Sequence, residues 1–170
     1  MDLHPLFVHF PIALLTLYAV LEILRPWTRG HAWQTTRSLL VIVGTLSAFV
    51  SLSTGEDAEH AYRNAAMLNV LEMHSLIATI TTWCFACIAV CYAIELPIVI
   101  RILDRSPSWM RRALAIVRQC ATTILTTPIV TILAILATLG LMLVGALGGI
   151  LVYGPDFDPV TSLVYNLIFR

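Results

Sequence analysis

Four of the five histidines lie in three short stretches: His4 and His9 in HPLFVHFPIALL (residues 4–15), His60 in STGEDAEH (53–60) and His74 in LEMHSLIA (71–78). A neutral imidazole is a transition-metal ligand, and two imidazoles on facing helices can hold a haem iron from both sides. Ionisable side chains are costly inside apolar segments and are usually functional there. The same residues also suit interhelical hydrogen bonding, proton handling or contact with a quinone. His4, directly before Pro5, equally suits an interfacial cap, and His60 reads as a solvated loop residue. No thiol accompanies these histidines in sequence, which favours haem over zinc or copper. His31 stands apart in an arginine-rich stretch and reads as a solvated loop residue.

The segments that must position these histidines are membrane spans. Of 170 residues, 59% are hydrophobic and 12% charged, and the mean hydropathy is +0.88. That is more apolar side chain than one soluble core of this size buries. Apolar runs at about 6–24, 38–52, 73–94 and 129–152 approach the ~20 residues needed to cross ~30 Å of hydrocarbon. The expected fold is therefore all-α, a single membrane domain over residues 1–170. It is a four-transmembrane-helix bundle with a basic interfacial helix before span four and a short C-terminal amphipathic helix. The first run has no basic region before it and no small-residue cleavage site after it, so it reads as a retained span. The second is short and carries Ser47, Ser51 and Ser53, so it is expected to pack among the others and not face lipid.

With a helix starting at Pro5, His9 lies about one turn (~5.4 Å) inside span one. Asn69 and Glu72 put His74 at a similar depth in span three, so the two should be level. His4 would stand ~7.5 Å further out than His9, and a second pair from His4 and His60 requires the connecting loop to fold down. Pro11 cannot donate to the Phe7 carbonyl and should kink span one beside His9. Gly145, Gly148 and Gly149 on span four fall at the same level, where absent side chains would admit a flat macrocycle. Gly145 and Gly149 also form a G-x-x-x-G, a helix-packing motif.

All ten basic residues are arginines, and eight of them (Arg25, Arg29, Arg37, Arg101, Arg105, Arg111, Arg112, Arg118) border the connections between spans one and two and spans three and four. The positive-inside rule then puts those connections in the cytoplasm and both termini, with the acidic connection around 53–63, outside. SPSWMRRALAIVRQ (106–119) reads as a helix on the cytoplasmic leaflet, with Ser106 as N-cap and Pro107 in the first helical position. A formal net charge of zero argues against nucleic acid as a partner.

Cys84, Cys87 and Cys91 share one stripe of span three, away from the histidines, and are expected to be small packing residues, as is Cys120. Ile88 stands where covalent haem attachment would need a histidine. Glu22 can pair with Arg25 at i+3, and Glu95 closes span three before Pro97; neither marks a buried proton path. There is no nucleophile–base pair, phosphate-binding glycine loop or carboxylate pair in the pattern, so the chain is not expected to be an enzyme by itself. In the tail, Asp158 should cap a helix begun by Pro159 over 159–169. Its stripe of Val160, Leu163, Val164, Leu167 and Ile168 suits either the outer leaflet or docking of another subunit from outside the bundle.

HPLFVHFPIALL, STGEDAEH and LEMHSLIA together resemble a prokaryotic domain-of-unknown-function family of predicted four-span membrane proteins whose signature is His-Pro followed by Val-His-Phe-Pro. The resemblance spans roughly residues 3–95, and the basic segment 98–120 and the tail depart from the shorter pattern. Members resemble neighbours or fusion partners of cytochrome c domains, which implies redox work in a prokaryotic inner membrane. The expectation is a subunit binding one haem b, or two, between His9 and His74. It would pass electrons between the membrane and an extracytoplasmic partner of cytochrome c type. A cofactor-free anchor of a larger complex, held by membrane lipid and other subunits, stays open, as does a quinone-binding or proton-handling subunit.

Overall fold

The computed structural model describes residues 4–62, 67–105 and 107–169, without the side chains of 4–6, 56–62, 103–104 and 108–109. It is all-helical as expected, with α1 His4–Ile23, α2 His31–Tyr62, α3 Leu68–Ile94, α4 Pro97–Asp104, α5 Ser108–Thr126, α6 Ile129–Tyr153 and α7 Pro159–Phe169. Three stretches are long and apolar enough to cross a membrane: His31–Gly55 of α2, Leu68–Ile94 and Ile129–Tyr153. Helix α1 adds the shorter apolar stretch Phe7–Ile23. Helices suit this setting because they satisfy their own backbone groups, which lipid cannot do.

Helix α1 packs on α2 and α6, and α3 packs on α2 and α6, so the four form a ring with α1 and α3 on its diagonal. Glycine brings α1 and α2 close, since a Cβ on Gly44 would stand 2.7 Å from Leu15 Cδ2. At the arginine end of the bundle, where α1 and α3 finish, Tyr18, Phe85 and Tyr92 span the diagonal. Tyr18 meets Phe85 edge-on at 6.5 Å and Tyr92 at 6.0 Å, and all three are buried with Leu15, Val41, Ile88 and Val130. At the histidine end a smaller core joins Val70 of α3, Leu147 and Ile150 of α6 and Val164 of α7.

Beneath the aromatic layer lies a carboxylate with no exposed surface. Glu22 accepts from Arg25 Nη1 at 2.9 Å and from the Tyr92 hydroxyl at 2.9 Å, and Arg37 Nε stands 3.7 Å away. Arg37, itself buried, donates to the Leu21 carbonyl at 3.2 Å and the Thr28 carbonyl at 2.7 Å. It therefore satisfies a last-turn carbonyl of α1, where the helix dipole favours a cation, and pins the 24–30 connection. The expectation that Glu22 has only a local i+3 partner is thus too narrow: it ties α1 to α2 and α3.

Several boundaries differ from the sequence reading. The acidic residues 56–59 and His60 are helical, since α2 continues to Tyr62, and not in a loop as the sequence suggests. A separate α4 precedes the basic helix, and α5 starts at Ser108 with Pro107 extended at the cap position (ψ 151°). Ser106 lies outside the described residues. Span two is not enclosed on every side: Leu39, Val43, Leu46 and Val50 form an exposed apolar face, while Ser51 is buried and the other two serines bond their own helix. Ser47 donates to the Gly44 carbonyl and Ser53 to that of Val50. Cys84, Cys87 and Cys120 are exposed and not packed, and only Cys91 touches the core. Pro11 is held within a continuous α1.

Glu22→Gln leaves buried Arg37 bonded to the Leu21 and Thr28 carbonyls but without its counter-charge, and losing one partner of a buried pair costs ~3–5 kcal/mol. Tyr92→Phe removes one hydrogen bond to a charged group, worth ~1.5–3 kcal/mol. Thermal unfolding of the purified protein should rank wild type above Tyr92→Phe above Glu22→Gln; a Glu22→Gln variant as stable as wild type would contradict the assignment.

Candidate functional site

Between the aromatic layer and the histidine-end core, the ring of α1, α2, α3 and α6 encloses a cavity of about 880 Å³. Leu15 and Phe85 belong both to its wall and to the arginine-end core, so the aromatic layer is its floor. Helix α1 supplies Val8, Pro11 and Ile12 at i, i+3 and i+4, one helical face. Exposed Phe49 of α2 and Trp83 of α3, edge-to-face at 5.4 Å, stand on its rim, so it opens toward the surface that lipid covers.

His74 is on this wall. Its Nδ1 is 3.1 Å from the Val144 carbonyl of α6. A carbonyl only accepts, so Nδ1 carries a proton and donates it to Val144. Gly148 permits this approach: a Cβ there would stand 3.4 Å from His74 Cε1, and a longer side chain would take the ring's place. Ala78, one turn along α3, keeps the same face small. Ser51 of α2, also on the wall, is buried, and its hydroxyl has no hydrogen-bond partner among the described residues. A buried hydroxyl of this kind is costly unless something satisfies it.

The other predicted residues divide. His9 is exposed on α1, beside the wall residue Val8, and is not itself on the wall. Gly145 is on the wall with open space above it, whereas Gly149 turns away and meets Thr161 of α7, where a Cβ would stand 3.4 Å from Cγ2. Its expected place beside a macrocycle is therefore corrected: Gly149 is a packing residue. The side chains of His4 and His60 lie outside the described residues. Among the described residues no group of three or more histidine, cysteine or acidic side chains is arranged to hold a metal ion. The sequence singled out Ser51 only as one of three span-two serines expected to pack inward, because a serine on an apolar helix carries no spacing signal for a ligand.

The tail also differs from its expected separation from the bundle. Asp158 Oδ1 caps α7 by accepting from the N–H groups of Val160 (2.7 Å) and Thr161 (3.0 Å). Gly154, at φ +90°, turns the chain out of α6 so that α7 folds back onto it. Thr161 and Val164 are buried there, while Val160, Leu163 and Leu167 stay exposed. Because α7 rests on Gly149, one residue from Gly148, its removal would disturb the His74 wall.

A family model described as a predicted membrane protein (DUF2231) matches residues 1–156. The match includes the basic segment 98–120, which the sequence reading set apart from the family pattern. No curated protein and no solved structure matches the chain.

Histidine-selective ¹⁵N NMR should find His74 as a neutral ring protonated on Nδ1. Gly148→Leu should abolish that signature while Gly148→Ala keeps it, since 3.4 Å is ordinary contact for a methyl group. Identical spectra for all three proteins would rule out the Val144–Gly148 seat.

Proposed function

The chain belongs to the DUF2231 family of predicted membrane proteins, and from that premise we propose that it is a membrane subunit holding haem b in the four-helix cavity. It passes electrons between the membrane and an extracytoplasmic redox partner. The observation that carries this reading is the state of His74: a wall imidazole whose Nδ1–H is engaged by a backbone carbonyl. That second-sphere hydrogen bond fixes ring and tautomer in metal-ligating histidines and leaves Nε2 as the ligating atom.

The surroundings support it. A volume of about 880 Å³ is within the usual range for cofactor sites. Ser51 offers a buried hydroxyl to a polar substituent of an otherwise apolar ligand, and Gly145 and Gly148 leave room along α6. His9, exposed on α1 next to the wall residue Val8, would be the second histidine to hold the haem, and would have to turn toward the cavity to do so; His4 and His60 are the candidates for a second haem. Bound haem supplies one-electron chemistry; the chain supplies ligation by histidine, orientation, and an apolar wall that excludes water. The arginine end is assigned to the cytoplasm, so His74 faces outward. Exposed Asp156, together with Asp2 beside His4 and Glu56, Asp57 and Glu59 beside His60 in the sequence, suits a basic-patched partner of cytochrome c type.

A quinone-binding subunit is the second reading, favoured by the rim at Phe49 and Trp83, through which a lipid-soluble molecule would enter.

The reduced-minus-oxidised spectrum of the purified protein should show a six-coordinate, low-spin haem that His74→Ala abolishes and His9→Ala converts to a five-coordinate form. A spectrum untouched by His74→Ala overturns the proposal, and one untouched by His9→Ala removes His9 from it. A haem-free protein that co-purifies with quinone supports the second reading, and one with neither is a cofactor-free anchor. For orientation, an impermeant thiol label should reach a cysteine at Asp156 from outside and miss one at Arg111; the reverse pattern would move the partner into the cytoplasm.

A further inference from the structure

At the arginine end, α4 and α5 line an open hollow of about 430 Å³, separate from the cavity that holds His74 and independent of any cofactor. Ile100 of α4 and one face of α5, with Arg111, Leu114, Ala115 and Arg118 at i, i+3, i+4 and i+7, line it, so apolar side chains and two guanidiniums share the lining. Glu95 grips Arg118 through Nε at 3.3 Å and Nη2 at 3.4 Å, so that charge is neutralised and the guanidinium oriented. Arg111 is exposed and makes no ion pair with a described side chain. Among the described side chains, two guanidiniums and one carboxylate leave the hollow with one unbalanced positive charge.

Its depth is set by its surroundings. The C-terminal half of α5 buries Ala121 and Leu125 in the bundle, while Ile98 and Ile102 of α4 and Ile116 and Val117 of α5 are at least half exposed beside the arginines. Exposed isoleucines next to arginines place both helices at the boundary between acyl chains and headgroups. A monoanionic phosphodiester matches the unbalanced charge, and an attached acyl chain matches the apolar side chains; free phosphate would use only the first. Guanidinium–phosphate pairing is strong, and basic pockets at this depth suit anionic headgroups.

We propose that the α4–α5 hollow is a binding site for one anionic phospholipid, its phosphate on Arg111 and an acyl chain along Ile100 and Leu114. The test is native mass spectrometry of the full chain, purified from mixed micelles with equal phosphatidylglycerol and phosphatidylcholine. Wild type should retain about five-fold more phosphatidylglycerol than phosphatidylcholine. Arg111→Gln should remove that preference, and so should Ala115→Trp, which fills the hollow and leaves the charge unchanged. Both positions are exposed, and unchanged helical circular dichroism checks the fold; Arg29→Gln, at the other arginine connection, should keep the preference. Equal retention of both lipids by wild type, or an unaltered preference in Arg111→Gln, overturns the site. Loss with Arg111→Gln but not with Ala115→Trp reduces it to diffuse surface attraction and likewise overturns it. Displacement of the lipid by excess inorganic phosphate shows a bare anion site and overturns the lipid assignment.

Discussion

The architecture depends on one buried carboxylate. A charge of this kind inside a membrane bundle is tolerable only if surrounded by donors, and Glu22 finds them on three elements: Arg25 just beyond α1, Arg37 on α2 and Tyr92 on α3. The requirement sets the rotation of α1 about its own axis. With Glu22 turned inward, Tyr18 and Leu15, one and two turns earlier, must also face the interior.

The cavity follows from that rotation. Four residues further toward the histidine end, the same face of α1 presents Pro11 and then Val8, residues too short to reach the diagonal helix that Tyr18 spans. The bundle is filled with aromatic rings at one end and left hollow at the other, and the second core of Val70, Leu147, Ile150 and Val164 prevents collapse on the far side. Packed interiors resist small rearrangements, so the hollow is held from both ends. His74 belongs to the wall of this space, fixed by a backbone carbonyl of α6 that a small neighbour at position 148 leaves accessible.

Much of the fold was legible because apolar run length and arginine clustering are properties of the chain itself. The helices around residues 6–24, 73–94 and 129–152 and the capped tail are found close to where those signals put them. The misreadings share a physical origin, in that contacts between elements have no local spacing. Glu22 paired with Arg25 is visible at i+3, but its bonds to Arg37 and Tyr92 span 15 and 70 residues. The serines of α2 suggested shielding, yet a hydroxyl that bonds its own helix can stand on a lipid-facing surface. Of the site, His74 and Gly148 were legible from type and depth. Gly149 was not separable from Gly148, because a single residue's rotation, about 100°, decides which neighbour it meets.

The placement of Phe49 and Trp83 on the cavity rim alters what concentration means for an occupant. A molecule arriving by that route is drawn from the bilayer, where each buried methylene favours it by ~0.8 kcal/mol over water. Occupancy is then governed by its mole fraction among lipids, and a sparingly soluble compound can saturate a site whose intrinsic affinity is modest. Dilution into detergent changes that mole fraction without changing the protein, so the same cavity can be full in the membrane and empty in a micelle.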